Sequence, residues 1–115
     1  MTEQPTDPED TKIITLARAA LARTGAAEGA CVRDTDGRTY AATSVDLPHL
    51  QLPAVSVAVA MAVSSGAEGL EAAAVASADA PDEAALAVVG DLPGTGVVVW
   101  SVDPQGAVRA RIAVS

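Results

Sequence analysis

The chain contains one histidine, one cysteine, one tryptophan, one tyrosine and no phenylalanine. With a single imidazole and a single thiol it is short of the side chains that most strongly bind transition metals or act as bases near neutrality. One cysteine also excludes an internal disulfide. The shortage of aromatics leaves a core of Ala and Val with some Leu and Ile, whose small side chains each remove little surface from water, at about 25 cal/mol per Å². A lone protomer is therefore expected to be marginally stable, and self-association would cover more apolar surface. Long apolar runs are scarce as well. The longest, residues 54–63 with one serine, falls short of the roughly 20 residues that a bilayer-spanning helix needs, so no membrane partner is expected. Positive charge is the remaining deficit: 7 Lys and Arg face 15 Asp and Glu, for a net charge of -8. Such a surface opposes binding to phosphate backbones, which draws on clustered Lys and Arg, and no nucleic-acid partner is expected. Arg109 and Arg111, the close basic pair near the C-terminus, alternate as strand residues do and read as a solvated sheet face.

The 115 residues suit one domain with one core. Residues 1–10 carry Glu3, Asp7, Glu9 and Asp10 with two prolines and no apolar periodicity, which predicts a disordered acidic tail before a domain over 11–115. This N-terminus is not basic then apolar, so a cytoplasmic location is expected. Ile13, Ile14, Ala17, Ala20 and Leu21 recur at helical spacing ahead of Gly25, predicting a helix over 11–24. Residues 28–33 and 38–45 read as a hairpin turned at Asp34-Thr35-Asp36-Gly37, where the aspartates can bond backbone amides and the glycine accepts positive φ. A loop with His49 follows, bracketed by Pro48 and Pro53.

Residues 53–65 fit either a helix or a strand, because valines occupy alternate positions, but the Pro and Gly66 at the ends favour a helix. Apolar on nearly every side, this helix is expected to be buried all round. Strands over 70–77, 97–102 and 107–114 and a short helix over 81–90 complete an αββαβαββ order, which predicts an α/β class with one mixed sheet of five strands flanked by helices.

Three stretches in this order resemble cytidine deaminases. They are helix one, then Glu28-Gly29-Ala30-Cys31-Val32 leading into Asp34-Thr35-Asp36-Gly37-Arg38-Thr39-Tyr40, then the helix ending Ala62-Val63-Ser64-Ser65-Gly66. Residues Ala73, Val75, Ala76 and Ser77 extend the likeness as a third strand. The resemblance implies a three-layer α/β/α fold. It also implies a chemistry in which Zn²⁺, held by three Cys or His side chains, carries a hydroxide that attacks the pyrimidine C4 while a glutamate moves protons. The family's Cys-Ala-Glu or His-Ala-Glu motif falls here on Pro53-Ala54-Val55, and its Pro-Cys-x-x-Cys motif on Pro81-Asp82-Glu83-Ala84-Ala85. Pro53, Val55, Asp82, Glu83 and Ala85 are thus degenerate site positions, and no catalytic residue, cofactor or metal is expected. The segment that grips the nucleoside in the family falls near Ser44-Val45-Asp46, where only acidic character is kept.

Other candidates read more simply as structure. Cys31, between Ala30 and Val32, is expected to pack as a small apolar group, and His49 to sit exposed in its loop. Asp34 and Asp36 lack the rest of a calcium loop. Gly94-Thr95-Gly96 lacks the Lys of a phosphate cradle. Ser56, Ser64 and Ser65 have no histidine partner, and Trp100 is expected in the core. The leading expectation is a non-catalytic deaminase-like protein, not an enzyme, acting as an oligomeric scaffold or protein-interaction module. The resemblance implies a dimer or tetramer built through the second and third helices, with Ala54, Ala58, Met61 and Ala62 as the contact. A link to the ribosome-assembly GTPase encoded beside such chains in some bacteria is a further implication. The alternative is a zinc-free nucleoside or nucleotide sensor, and an active cytidine deaminase comes last.

Overall fold

The computed structural model describes residues 3–114. Its elements are α1 (Pro8–Thr24), β1 (Glu28–Asp34), β2 (Thr39–Thr43), β3 (Val45–Leu47), β4 (Leu50–Leu52), α2 (Ala54–Ser64), β5 (Leu70–Ser77), α3 (Glu83–Gly90), β6 (Val98–Val102) and β7 (Val108–Ala113). Five strands form one sheet in the order β2-β1-β5-β6-β7. Only β5 and β6 run parallel, joined through α3, while the other neighbours are antiparallel. The α/β class, the mixed five-stranded sheet and its helical layers are as the sequence predicts. No described helix is long and apolar enough to cross a membrane.

The expected tail over 1–10 is corrected in its last three residues, which form the first turn of α1. Asp7 caps that turn, its Oδ1 accepting from the Glu9 N–H at 2.9 Å, and Pro8 suits a position whose N–H has no helical partner. Asp10 is then drawn onto the sheet, where its Oδ2 accepts from Trp100 Nε1 at 3.2 Å and its Oδ1 pairs with Arg33 Nη2 at 3.0 Å. Residues 1 and 2 of the expected tail, and Ser115 of the expected domain, lie outside the described residues. At the other end Gly25, at φ 68, returns its N–H to Leu21 O as a left-handed cap.

Alternation along β5 divides the core between two faces. Ala72, Ala74 and Ala76 meet Ile13, Ile14, Ala17, Leu21, Cys31 and Trp100 under α1. Ala73 and Val75 meet Val55, Ala58, Val59 and Val89 under α2 and α3. Small side chains allow close approach: a Cβ at Gly29 would run into the Ala17 carbonyl oxygen of α1. The β1–β2 turn forms as read, with Asp34 Oδ1 accepting from the Asp36 and Arg38 N–H groups at 2.9 Å each and Gly37 at φ 85.

Residues 54–64 are helical, which settles the helix-or-strand ambiguity, but the helix is not buried all round. Its inner face is Ala54, Val55, Ala58, Val59 and Ala62, whereas Met61 and Val63 stand 39% and 54% exposed. The expected contact stripe is therefore corrected. Ala54, Ala58 and Ala62 are fully buried within this chain, packed on β1 and β2, and only Met61 of the four reaches the surface. A second correction is the β3–β4 hairpin where a loop was expected; its short pairing, Val45 with Leu52 through Leu47 with Leu50, survives the prolines because Pro48 sits in the turn and Pro53 follows the last paired residue.

Candidate functional site

The N-termini of α2 and α3 open on the same edge of the sheet, beside the end of β5 and the start of β1. Pro53 precedes α2 in extended conformation and offers no side-chain cap. The vacant acceptor role is taken from another element: Glu28, the first residue of β1, accepts the Ala54 N–H on its Oε1 at 3.2 Å. A carboxylate is favoured there by the helix dipole and by the unpaired amides of the first turn. Glu28 is itself fixed by Ser44, whose Oγ accepts the Glu28 N–H at 3.2 Å and whose N–H donates to Glu28 O at 3.0 Å. At α3, Asp82 caps its own helix, accepting the Ala85 N–H at 2.9 Å.

Two adjoining cavities lie against these groups. The larger, about 390 Å³, is lined by Glu28, Ser44, Asp46, Gln51, Pro53 and Asp79 among others. The smaller, about 240 Å³, runs between the two helix N-termini over Pro53, Val55, Asp79, Asp82 and Ala85 and again reaches Glu28. Together they form one cleft with four carboxylates in its walls, Glu28, Asp46, Asp79 and Asp82, and no Lys, Arg, His or Cys among its described lining residues. Such a cleft accepts hydrogen bonds from neutral or cationic ligands and repels phosphate.

Four of the five degenerate positions read from the sequence, Pro53, Val55, Asp82 and Ala85, are brought together in the smaller cavity. Glu83 is not; it stands exposed in the first turn of α3. Ser44 and Asp46, near which the resemblance put the family's nucleoside-gripping segment, border the larger cavity. Sequence reasoning missed Glu28 and Asp79. The available signal for Glu28 was a lone acid opening a strand of otherwise small and apolar residues, next to the helix that lacks its own cap.

The residues present do not fit the zinc that the fold family implies. Cys31 lies under α1 on the opposite face of the sheet, where burial pushes its thiol pKa up to about 11, and His49 is exposed between β3 and β4. Among the described residues no group of three His, Cys, Asp or Glu side chains is placed to hold a metal ion. Neither helix start supplies a thiolate or imidazole donor.

A mixed sheet between helical layers, with a cleft where two helix N-termini meet a sheet edge, defines a three-layer α/β/α protein. The chain belongs to the cytidine deaminase-like family, whose model matches residues 6–106. Its fold is similar to that of a cytidine deaminase from Burkholderia pseudomallei, with a TM-score of 0.75 and 23% identity over 90% of this chain and 91% of that one. A cytidine deaminase from Mycobacterium leprae aligns with a TM-score of 0.70 and 17% identity over 90% and 91% of the two chains. One from Mycobacterium tuberculosis aligns with a TM-score of 0.68 and 24% identity over 81% and 85%. Among curated proteins no sequence match was found. The expectation that the chain is not an enzyme is corrected by these findings: the family takes its name from an enzyme, and the structural neighbours are named as cytidine deaminases.

Proposed function

We propose that the chain handles a pyrimidine nucleoside, bound in the cleft under Glu28. The observation that carries this reading is the double placement of that carboxylate. Oε1 accepts the Ala54 N–H, and Glu28 lines both cavities, so the same carboxylate that caps α2 borders the space a ligand would fill and can accept its N–H or O–H groups. The name of the structural neighbours supplies the ligand class, and the lining supplies the selectivity. With four carboxylates and no cation in the walls, a nucleoside is accepted where its phosphate ester is repelled.

Isothermal calorimetry with cytidine and with cytidine monophosphate tests the reading, with ultraviolet absorbance followed on the same samples for conversion of cytosine to uracil. Cytidine is expected to give saturable heat and the monophosphate little. Glu28→Gln is expected to weaken cytidine about tenfold, the scale of losing a charge-assisted hydrogen bond. Absence of heat with cytidine, or equal heat with Glu28→Gln, overturns it. Loss of absorbance at the rate of binding extends the reading from binding to turnover.

Self-association is supported by a separate observation: Leu47, Leu50, Met61 and Val63 keep between 39% and 54% of their surface exposed. Large apolar side chains left in water support a dimer or tetramer, or a protein partner, where they come together on one face. Sedimentation analysis of the native chain and of Met61→Lys checks this; a native monomer at high micromolar concentration removes it.

A further inference from the structure

Arg109 occupies a β-bulge. Along the β6–β7 pairing Ser101 faces Ala110 and Val102 faces Val108, so Arg109 is the extra residue with no cross-strand partner. Bulges of this kind re-aim a side chain that regular pairing would leave on the sheet surface. Here the guanidinium is turned toward the end of β5. Nη1 donates to the fully buried Ser101 Oγ at 3.1 Å, and Nη2 donates to the carbonyl oxygens of Ser77 at 2.9 Å and Ala78 at 3.1 Å. The sequence reading of Arg109 and Arg111 as an equivalent solvated pair is thus corrected. Arg111 alone is exposed, its guanidinium 5.9 Å from the centroid of the Trp100 ring.

Ser77 and Ala78 begin the segment that carries Asp79 into both cavities and ends at Asp82, the cap of α3. The segment's own internal bond is modest, the Asp79 N–H to Ser77 Oγ at 3.3 Å. From this arrangement we infer that Arg109 is a positioning residue of the cleft: it fixes the Ser77-Ala78-Asp79 wall from behind, through two main-chain carbonyls, without touching the ligand itself. The inference rests on the nucleoside reading for its ligand arm only. A guanidinium suits the task because its planar fork serves the buried hydroxyl and the two carbonyls at once, whereas an ammonium is a point donor on a flexible stem.

The test compares Arg109→Gln and Arg109→Lys with Arg111→Gln, the neighbouring arginine on the same strand, in the full chain. Amide hydrogen exchange without ligand and cytidine affinity by calorimetry are the two readouts. Arg109→Gln is expected to raise exchange at the Asp79 N–H, the amide of this segment bonded to Ser77 Oγ, about tenfold while the α1 amides keep native protection. Cytidine is expected to bind about fivefold more weakly, and Arg109→Lys to recover part of both changes. Arg111→Gln should match the native chain in each. Native exchange at the Asp79 N–H in Arg109→Gln, or equal responses from Arg109→Gln and Arg111→Gln, overturns the inference. If Arg109→Gln does not fold, Arg109→Lys carries the same decision. A native chain that binds no cytidine removes the nucleoside reading alone, since the exchange readout still decides whether Arg109 fixes this wall.

Discussion

The two faces of the sheet are covered by different means. On one, the 17-residue helix α1 is capped at both ends and tied down by charge, with Asp10 bonded to Arg33 and Trp100, and Arg33 bonded in turn to Glu71 at 3.0 Å. On the other, α2 and α3 run 11 and 8 residues; α2 has no side-chain cap from its own neighbours and no acidic residue in its first turn. What α2 lacks locally, Glu28 provides from β1. The face built on polar pins therefore carries the scaffold. The face held by Ala and Val packing has its helix N-termini capped by Glu28 and Asp82, acids that also line the cleft.

The largest expected effect breaks the pinned face. Trp100→Ala removes a buried indole and the Asp10 bond, and should cost about 3–5 kcal/mol in urea unfolding. A loss below about 1 kcal/mol would show that α1 is held by its caps alone. On the packed face, Ala58→Leu should cost about 1–3 kcal/mol by overpacking. That substitution also sharpens the corrected burial of the alanine stripe: at a subunit contact it would change the sedimentation coefficient and leave the unfolding midpoint of the monomer alone.

A smaller effect concerns the turn that closes β1 on β2. Burial pushes the Asp34 carboxyl up, but the Arg38 N–H, the Tyr40 hydroxyl and the Asp36 N–H outweigh it, so its pKa lies below the ordinary value. Because the folded pKa is the lower one, the contribution is fully present above the unfolded pKa of about 3.9 and is lost as pH falls through the folded value. Asp34→Asn should cost about 1 kcal/mol at pH 7 and nothing further in acid. Urea midpoints of the two chains that stay equally far apart from neutral pH to strongly acidic pH would contradict this. The smallest effect is at Cys31, which should resist thiol reagents in the folded chain, since burial holds its pKa near 11, and react fully once unfolded. Native labelling at the unfolded rate would mean that the pinned face opens.

The fold was legible where periodicity and turn chemistry agreed. Ile13, Ala17 and Leu21 marked α1, Asp34 and Gly37 marked the first turn, and the β-branched run before Trp100 marked β6. The β3–β4 hairpin was not, because strands of three residues give too short an alternation to read beside two prolines. Nor was the first turn of α1, whose polar residues are ordered by Arg33 and Trp100, partners 23 and 90 residues away in sequence. Within the site, Pro53, Val55, Asp82 and Ala85 could be placed by motif position. Glu28 left only the signal of a lone acid opening its strand and Arg109 left none, because each acts on a segment that only the tertiary arrangement brings near.

The pairing of β1 with β5 joins Glu28 to Ser77 and Arg33 to Ala72, and so must close a long intervening loop before the two strands can meet. Such non-local pairing slows barrier crossing relative to helical bundles of the same length, since closure entropy precedes the contacts that reward it. Refolding kinetics are therefore expected to report on the meeting of these two strands.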